Sequence, residues 1–279
     1  MKIKYLGTAA AEGTPAIFCR CEVCKKAKAL GGRNIRTRAQ SIIDDHLLID
    51  FSADTYMHCL RDNIDLMDIK SCLITHAHED HLYPREIPLR IPNNFANFCG
   101  EEVTPLHFYG SDTSLNIIRD LYTYDEMVEK NVVVLHPVKP YETFTVEKYT
   151  VTPLKADHDQ KTDPFIYIIS DGEKTMLYGH DTGYFLDETW AYLEREKPTF
   201  DYVSLDCTGM FENYRKGHLG LNSGVEVKER MIEIGVADSH TVFCFNHFSH
   251  NGGATYEDFL PAATEKGFLV SYDSMEYEF

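Results

Sequence analysis

The sequence predicts an α/β fold: two mixed sheets packed face to face and covered by helices, an αββα sandwich. Three observations predict it. Short apolar runs of β-leaning composition recur along the whole chain, and stretches with helical spacing lie between them. Several apolar runs end on a polar or ionisable residue, as buried strands do when they release functional side chains into loops along one rim.

Taken in order, the strand-like runs are residues 3–6, 41–50, 71–75, 107–110, 149–154, 165–170, 176–180, 202–206 and 241–245. Their polar exits are Thr75-His76, His180-Asp181, Leu205-Asp206 and Asn246-His247. Helices are expected at 24–30, 55–63, 111–131, 186–196, 223–234 and 256–263. In the fourth of these Leu186, Trp190 and Leu193 recur at helical spacing, and in the fifth Val225, Val227, Met231 and Ile234 do so. No internal repeat, low-complexity tract or Ser/Gly/Pro linker divides the chain. Residues 1–279 are therefore expected to form one domain, with a Cys-rich insertion at about 15–38.

Composition narrows the class. A chain of 279 residues with 43% hydrophobic and 25% charged residues is ordinary globular protein with enough length for a large core. No apolar stretch reaches about eighteen residues, so no membrane span is expected. The N-terminus, Met1-Lys2-Ile3-Lys4-Tyr5-Leu6, reads as the first strand of a mature cytoplasmic protein. The net charge of -17 disfavours non-specific nucleic-acid binding, which depends on Lys and Arg against phosphates. A polyanionic substrate would need a local positive patch or metal ions. Of the 8 cysteines, Cys19, Cys21 and Cys24 cluster, as metal-binding thiols do in a cytosolic chain. The scattered Cys59, Cys72, Cys99, Cys207 and Cys244 read as small buried hydrophobes.

The densest chemistry lies in Thr75-His76-Ala77-His78-Glu79-Asp80-His81, directly after an apolar run. Packed this closely, these imidazoles and carboxylates repel and desolvate one another unless a cation sits between them. In extended chain, residues two apart point the same way, so His76 and His78 can reach one ion. Asp80 and His81 turn to a second position beside it. A His-rich polar loop is the bland alternative, but folding does not ask for such density.

One loop cannot complete two coordination shells, and the other strand ends supply the rest. His158, in Asp157-His158-Asp159, is the natural third imidazole for the His76/His78 ion. Asp181, between a strand and a Gly turn, can bridge both ions with its two oxygens. His247 can close the second site beside Asp80 and His81. His180 is expected to point to the opposite face. Asp206 is expected beside the site as a supporting or capping group.

This order of residues is similar to the metallo-β-lactamase superfamily: His-x-His-x-Asp-His, a lone His, an Asp in a strand-end turn, then a late His. Gly7-Thr8-Ala9-Ala10, the Cys19-Arg20-Cys21-Glu22-Val23-Cys24 cluster and Arg36-Thr37-Arg38-Ala39-Gln40-Ser41 resemble the PhnP-type phosphodiesterases, which open phosphoribosyl cyclic phosphates. The resemblance implies the fold, a dinuclear site and phosphodiester hydrolysis. It also implies a zinc held by Cys19, Cys21, Cys24 and His250, since PhnP-like chains use such a late His for a structural zinc. His218, in a His-Leu segment that matches PhnP-like and tRNase Z-like enzymes, is implied as the acid that protonates the leaving group. Asp80 stands with it as a catalytic residue.

The expected cofactors are two divalent ions, Mn, Zn or Fe, in the active site and one structural Zn. Two close cations lower the pKa of a water between them and neutralise phosphoryl oxygens, which reconciles a phosphodiester substrate with the acidic net charge. Arg36 and Arg38 could hold a phosphate, with surface ion pairing as the competing role. The loops at 83–99 and 211–222 are expected to shape the pocket. The expected partner is a small phosphodiester, with a homodimer implied by the resemblance and nucleic acid disfavoured by charge. Two other readings share the fold: a tRNA 3′-processing nuclease, which lacks the basic arm it would want here, and a non-catalytic PqqB-like accessory protein.

Overall fold

A computed structural model of the chain describes residues 1–279. Fourteen strands form two seven-stranded sheets. The first contains β1 (Lys2–Gly7), β2 (Gln40–Ile43), β3 (Leu47–Ile49), β4 (Ser71–Leu73), β5 (Leu106–Gly110) and β6 (Val133–Pro137). The second contains β7 (Phe144–Val146), β8 (Tyr149–Lys155), β9 (Phe165–Ser170), β10 (Thr175–Gly179), β11 (Tyr202–Asp206), β12 (Val242–Asn246) and β13 (Leu269–Val270). The last strand, β14 (Met275–Glu278), returns to the first sheet, whose order is β14-β1-β2-β3-β4-β5-β6. The second runs β13-β12-β11-β10-β9-β8-β7. Each sheet is mixed: β3 to β6 and β10 to β13 pair in parallel, and the other pairs are antiparallel.

The period of two along each strand assigns its faces. Leu47 and Ile49 of β3 enter the core between the sheets, whereas Leu48 enters the outer core of the first sheet. Met176 and Tyr178 of β10 point inward, and Leu177 points to the outer core of the second sheet. Both faces of both sheets are thus buried, which is why the strands read as continuous apolar runs. Leu115 and Ile118 of α3 (Asp112–Arg119) and Met127 of α4 (Tyr124–Glu129) cover the first sheet. Trp190 of α5 (Asp187–Glu196), Met231 of α6 (Leu221–Glu233) and Phe259 of α7 (Tyr256–Glu265) cover the second. The result is the αββα sandwich.

Phenols buried between the sheets keep their hydroxyls paired. Tyr5 meets Tyr202 at 2.9 Å and Ser204 at 2.7 Å. Tyr167 donates to the Ile74 carbonyl at 2.6 Å, which pins the second sheet to the chain just before Thr75 and His76.

The structure departs from the sequence-based elements in three places. The run at 41–50 is a hairpin, because Asp44 and Asp45 turn the chain with φ of 50° and 62°. The stretch at 111–131 breaks into α3 and α4. The strands β6, β7, β13 and β14 lie at or next to sheet edges, and the short β13 and half-exposed β14 carry too weak an apolar pattern to read as strands. No helix is long and apolar enough to cross a membrane.

The segment before β2 is laid across the carboxyl ends of the strands. Ala9 bridges both Arg38 and Phe248, and Thr14 bridges Arg36. Helix α1 (Glu22–Leu30) is tied to α7 by Lys26 and Asp258 at 2.6 Å. This brings the cysteine cluster beside the end of β12.

Candidate metal centre

Two sets of donor atoms meet at the carboxyl ends of the parallel strands. His76 follows β4 and is fully buried. Its Nε2 lies 2.9 Å from His78 Nδ1, which lies 3.2 Å from His158 Nε2. The other nitrogen of His158 faces the Gly217 carbonyl at 2.9 Å, so Nδ1 carries the proton and Nε2 turns a lone pair toward the other two rings. His76 Nδ1 is similarly engaged by Thr75 Oγ1 at 3.0 Å.

The second set is Asp80, His81, Asp181 and His247, whose donor atoms lie within 4.8 Å of one another. Asp181 Oδ2 is 2.5 Å from His81 Nε2, 3.3 Å from His247 Nε2 and 3.5 Å from His76 Nε2. A single oxygen therefore faces both sets. Oδ1 points instead to His218 Nδ1 at 3.3 Å. The expectation that the two oxygens divide between the two sets is corrected on this point: His218 occupies the far side of the carboxylate.

The donor set fits divalent cations. Both oxygens of Asp181 and the Nε2 atoms of His81 and His247 are buried without a hydrogen bond, in spite of their closeness. Buried polar atoms without partners are costly, and here their lone pairs converge. Burial opposes a charge on His81, but Asp181, Asp80 and Asp50 outweigh it and lift its pKa well above the usual imidazole range. Burial also opposes ionisation of Asp181, yet His247 and His81 hold it well below the carboxylate range. A field that favours a proton among these groups favours a cation in its place. Burial, followed by the neighbouring His81, drives His76 well below the imidazole range, toward the neutral form a metal needs.

Backbone and neighbours hold the donors in place. Asp50 Oδ2 is 2.6 Å from His81 Nδ1, and Asp50 also accepts from Thr75 N and Oγ1 at 2.8 and 2.9 Å. Thr208 Oγ1 lies 2.8 Å from His247 Nδ1. Asp50, Asp181 and His247 all have left-handed backbones, with φ of 68°, 49° and 61°. Such conformations cost roughly 1–3 kcal/mol each in non-glycine residues and persist where surrounding contacts enforce them. His180 bonds Ser204 and Asn246 within the second sheet and does not face either set.

Thr208 is also 3.1 Å from His218 Nδ1, and Asp206 Oδ2 is 3.0 Å from it. Burial opposes the imidazolium, but the Asp206 carboxylate outweighs it and lifts His218 to about 9. His218 lines a cleft of about 310 Å³ together with His78, Asp80, His158, Asp181 and His247.

A third cluster stands beside this cleft. Sγ of Cys19, Cys21 and Cys24 and a ring nitrogen of His250 lie within 4.8 Å of one another. His250 Nδ1 is 3.5 Å from Cys21 Sγ and 3.8 Å from Cys19 Sγ. The amides of Cys21, Cys24 and Ala16 point at the sulfurs of Cys19, Cys21 and Cys24 at 3.3–3.4 Å. All cysteines are free of disulfides. Amide donors from Cys21 hold the Cys19 thiol below its ordinary range, while burial pushes Cys24 up to about 12. Three sulfurs and one imidazole at this spacing suit a tetrahedral zinc.

Residues 46–237 match the family model of the β-lactamase superfamily domain. The chain belongs to the metallo-β-lactamase superfamily. That superfamily consists mostly of metal-dependent hydrolases. Solved structures share the fold along the whole chain. Zn(2+)-bound PqqB from Methylobacterium extorquens has 20% identity, covers 100% of both chains and gives a TM-score of 0.75. A diphosphatase of the PhnP family has 20% identity, covers 100% of this chain and 97% of its own, and gives 0.73. The short form of human tRNase Z has 15% identity, covers 100% and 99%, and gives 0.62. An octanoyltransferase of Porphyromonas gingivalis (strain ATCC BAA-308 / W83) is 30% identical over 166 residues, or 57% of this chain. The chain matches only 31% of that relative's length.

Within this metallo-β-lactamase fold, the walls of the cleft differ from expectation. Tyr214 and His218 come from the loop at 211–222, but nothing from 83–99 reaches the cleft. That segment instead lines an apolar groove with Phe51, Leu66 and Met67. The walls come from Ala10, Ala11, Glu12, Ser249 and Asn251. Neither Arg36 nor Arg38 lines the cleft. Arg36 is buried, donates to Thr8 Oγ1 and the Ser271 carbonyl, and stacks 4.2 Å from the Phe248 ring. Arg38 is paired with Asp54 at 3.0 Å, the ion-pair role that competes with phosphate binding. Asp50 carries a signal that sequence reasoning can use: it is the polar residue that ends an apolar run. Glu12 carries none.

Proposed function

We propose that this protein is a dinuclear, metal-dependent phosphodiesterase acting on small cyclic phosphates. One observation carries the reading: seven donor side chains from separate strand ends converge, Asp181 Oδ2 faces both sets, and His218 stands at the rim of the same cleft. His76, His78, His158 and Asp181 would hold one cation; Asp80, His81, His247 and Asp181 would hold the other. Cys19, Cys21, Cys24 and His250 would hold a structural zinc. Bound divalent cations supply Lewis acidity and lower the pKa of water.

The chain's own residues do the rest. Water adds to phosphorus, and one phosphorus–oxygen ester bond breaks to give a monoester. His218 keeps Nδ1 on Asp206 and presents Nε2 to the departing oxygen, which takes up its proton. Asp80, which lines the cleft, would hold the second cation beside the attacking water, whose proton passes to solvent. The fold shared with a PhnP-family diphosphatase supports phosphoryl chemistry. The complete donor set speaks against a non-catalytic accessory role. The net charge of -17 speaks against a tRNA substrate.

The test is hydrolysis of bis(p-nitrophenyl) phosphate and of a nucleoside 2′,3′-cyclic phosphate by manganese-loaded protein, with Asp181→Asn as the control. Turnover lost in the variant supports the reading. No turnover with Mn, Zn or Fe overturns it.

A further inference from the structure

The cleft contains an ionisable group that the reaction does not use. Its floor is the donor set, and its walls are residues 10–12, Thr208, Tyr214, Ser249 and Asn251. No lysine or arginine lines it. Arg36 and Arg38, the arginines that could hold a phosphate, are engaged elsewhere, and Arg215, next to Tyr214, pairs with Glu226. Apart from the metal donors, His218 and the Tyr214 phenol, the one ionisable side chain in the lining is Glu12. Its Oε1 accepts from Ser249 Oγ and lies 3.7 Å from His250 Nε2, so its position is fixed by the turn that also carries His250. Its Oε2 makes no hydrogen bond within the chain, and the side chain is 31% exposed.

A substrate whose scissile phosphate sits on the floor must lay its remaining end against this wall. A wall built to receive a second phosphate carries guanidinium or ammonium groups, or amides at a helix N-terminus. This wall carries a carboxylate with a free oxygen, three hydroxyls and a carboxamide. Those groups accept from and donate to hydroxyls, and the carboxylate repels an anion. We infer that Glu12 is a specificity-determining residue that admits phosphodiesters with a hydroxyl-bearing, uncharged remainder and rejects those with a second phosphate. The inference rests on the phosphodiesterase reading and narrows its substrate class away from phosphoribosyl cyclic phosphates, whose distal phosphate would meet Glu12.

Calorimetry on manganese-loaded protein tests it without turnover. Adenosine 3′-monophosphate and adenosine 3′,5′-bisphosphate share the phosphate meant for the floor and differ by one at the far end. The wild type is expected to bind the monophosphate at least about tenfold more tightly, the scale of one like-charge contact at protein-surface screening. Glu12→Gln, which keeps an oxygen for Ser249, is expected to bring the two within about threefold. Asn251→Asp, which adds a carboxylate to the same wall, is expected to widen the gap. Thermal melting confirms that each variant is folded. Equal or tighter binding of the bisphosphate by the wild type, a ratio unmoved in both variants, or no binding of either nucleotide overturns the inference. Hydrolysis of bis(p-nitrophenyl) phosphate is measured in parallel. If that hydrolysis is absent while the binding ratio behaves as stated, the phosphodiesterase reading fails and the selectivity of the wall stands.

Discussion

The Asp50 carboxylate stands 2.6 Å from Nδ1 of His81, fully buried, on a backbone turned into the left-handed region. It orients the ring and fixes which nitrogen faces Asp181. Asp50→Asn removes the charge and keeps the size. Affinity for the second cation is expected to fall by about 10–100-fold, the usual scale for losing such a partner. Metal titration followed by elemental analysis checks this, with the circular dichroism spectrum unchanged. Unaltered affinity for both cations would remove Asp50 from this role.

His218→Ala tests proton delivery. Metal content is expected to stay at the wild-type level, since His218 Nδ1 is committed to Asp206 and Thr208. Turnover is expected to fall by about 100-fold, the scale of a lost general acid. The loss should be greater with a methyl ester leaving group than with p-nitrophenol, which departs readily as its anion. Equal turnover of wild type and variant on both substrates would show that the proton comes from elsewhere.

The cysteine cluster makes a separate prediction. Protein purified without added metal is expected to hold about one zinc per chain that resists mild chelation, beside a more labile pair. Cys21→Ala should lose that zinc and melt at lower temperature, because the cluster ties residues 16–24 to the turn after β12. Absence of zinc in the wild type would sink the structural site.

Much of this site is legible in the sequence because metal chemistry restricts residue type so tightly. His76, His78, Asp80 and His81 announce themselves by density, and His158, Asp181 and His247 by their place after apolar runs. The faces of the strands are legible for the same reason: both are buried, so the runs are continuous. What stays hidden depends on contacts between distant segments. Glu12 reaches the cleft because Ala9 bridges Phe248, a pairing with no local pattern. Arg36 looks like a surface cation, yet the Phe248 ring and the Ser271 carbonyl draw it into the interior. The segment at 83–99 lies close in sequence to the donors, but its apolar residues commit it to the groove beside Phe51.

Stability is expected to fall between about pH 6.5 and pH 4 through His58. This imidazole is buried under α2 (Thr55–Asp62), with Nδ1 2.5 Å from Gln40 Oε1 and Nε2 2.7 Å from Thr37 Oγ1. Burial, then Arg61, lowers its pKa from 6.5 to about 4. As pH falls, the unfolded chain takes up the proton first. The stability present above 6.5 is lost progressively until the folded form is also protonated, on the order of 3 kcal/mol in all. Urea unfolding of the wild type and His58→Gln at pH 7 and pH 4 isolates the effect. The wild type should lose about 2–3 kcal/mol relative to the variant. A constant difference between the two proteins would show that His58 does not titrate in this window.

Gly224 lies inside α6, where alanine would gain about 1 kcal/mol in helix propensity. Packing reverses the sign. A Cβ there would fall 2.7 Å from Cζ of Phe245, a ring of β12 that is fully buried. Phe245 cannot yield, because it stacks on Phe268 with centroids 3.9 Å apart and planes within 8°. Helix α6 must therefore lift from the second sheet, and Gly224→Ala is expected to destabilise by about 1–3 kcal/mol. Phe245→Leu opens a cavity by itself, yet it removes the clash. The double variant should be more stable than the sum of the two single changes implies, by about 1 kcal/mol or more, as expected for residues in contact. Urea midpoints of the four proteins measure both numbers. A Gly224→Ala protein as stable as the wild type would mean that the helix does not rest on this ring, and that the close approach of α6 to β12 has another cause.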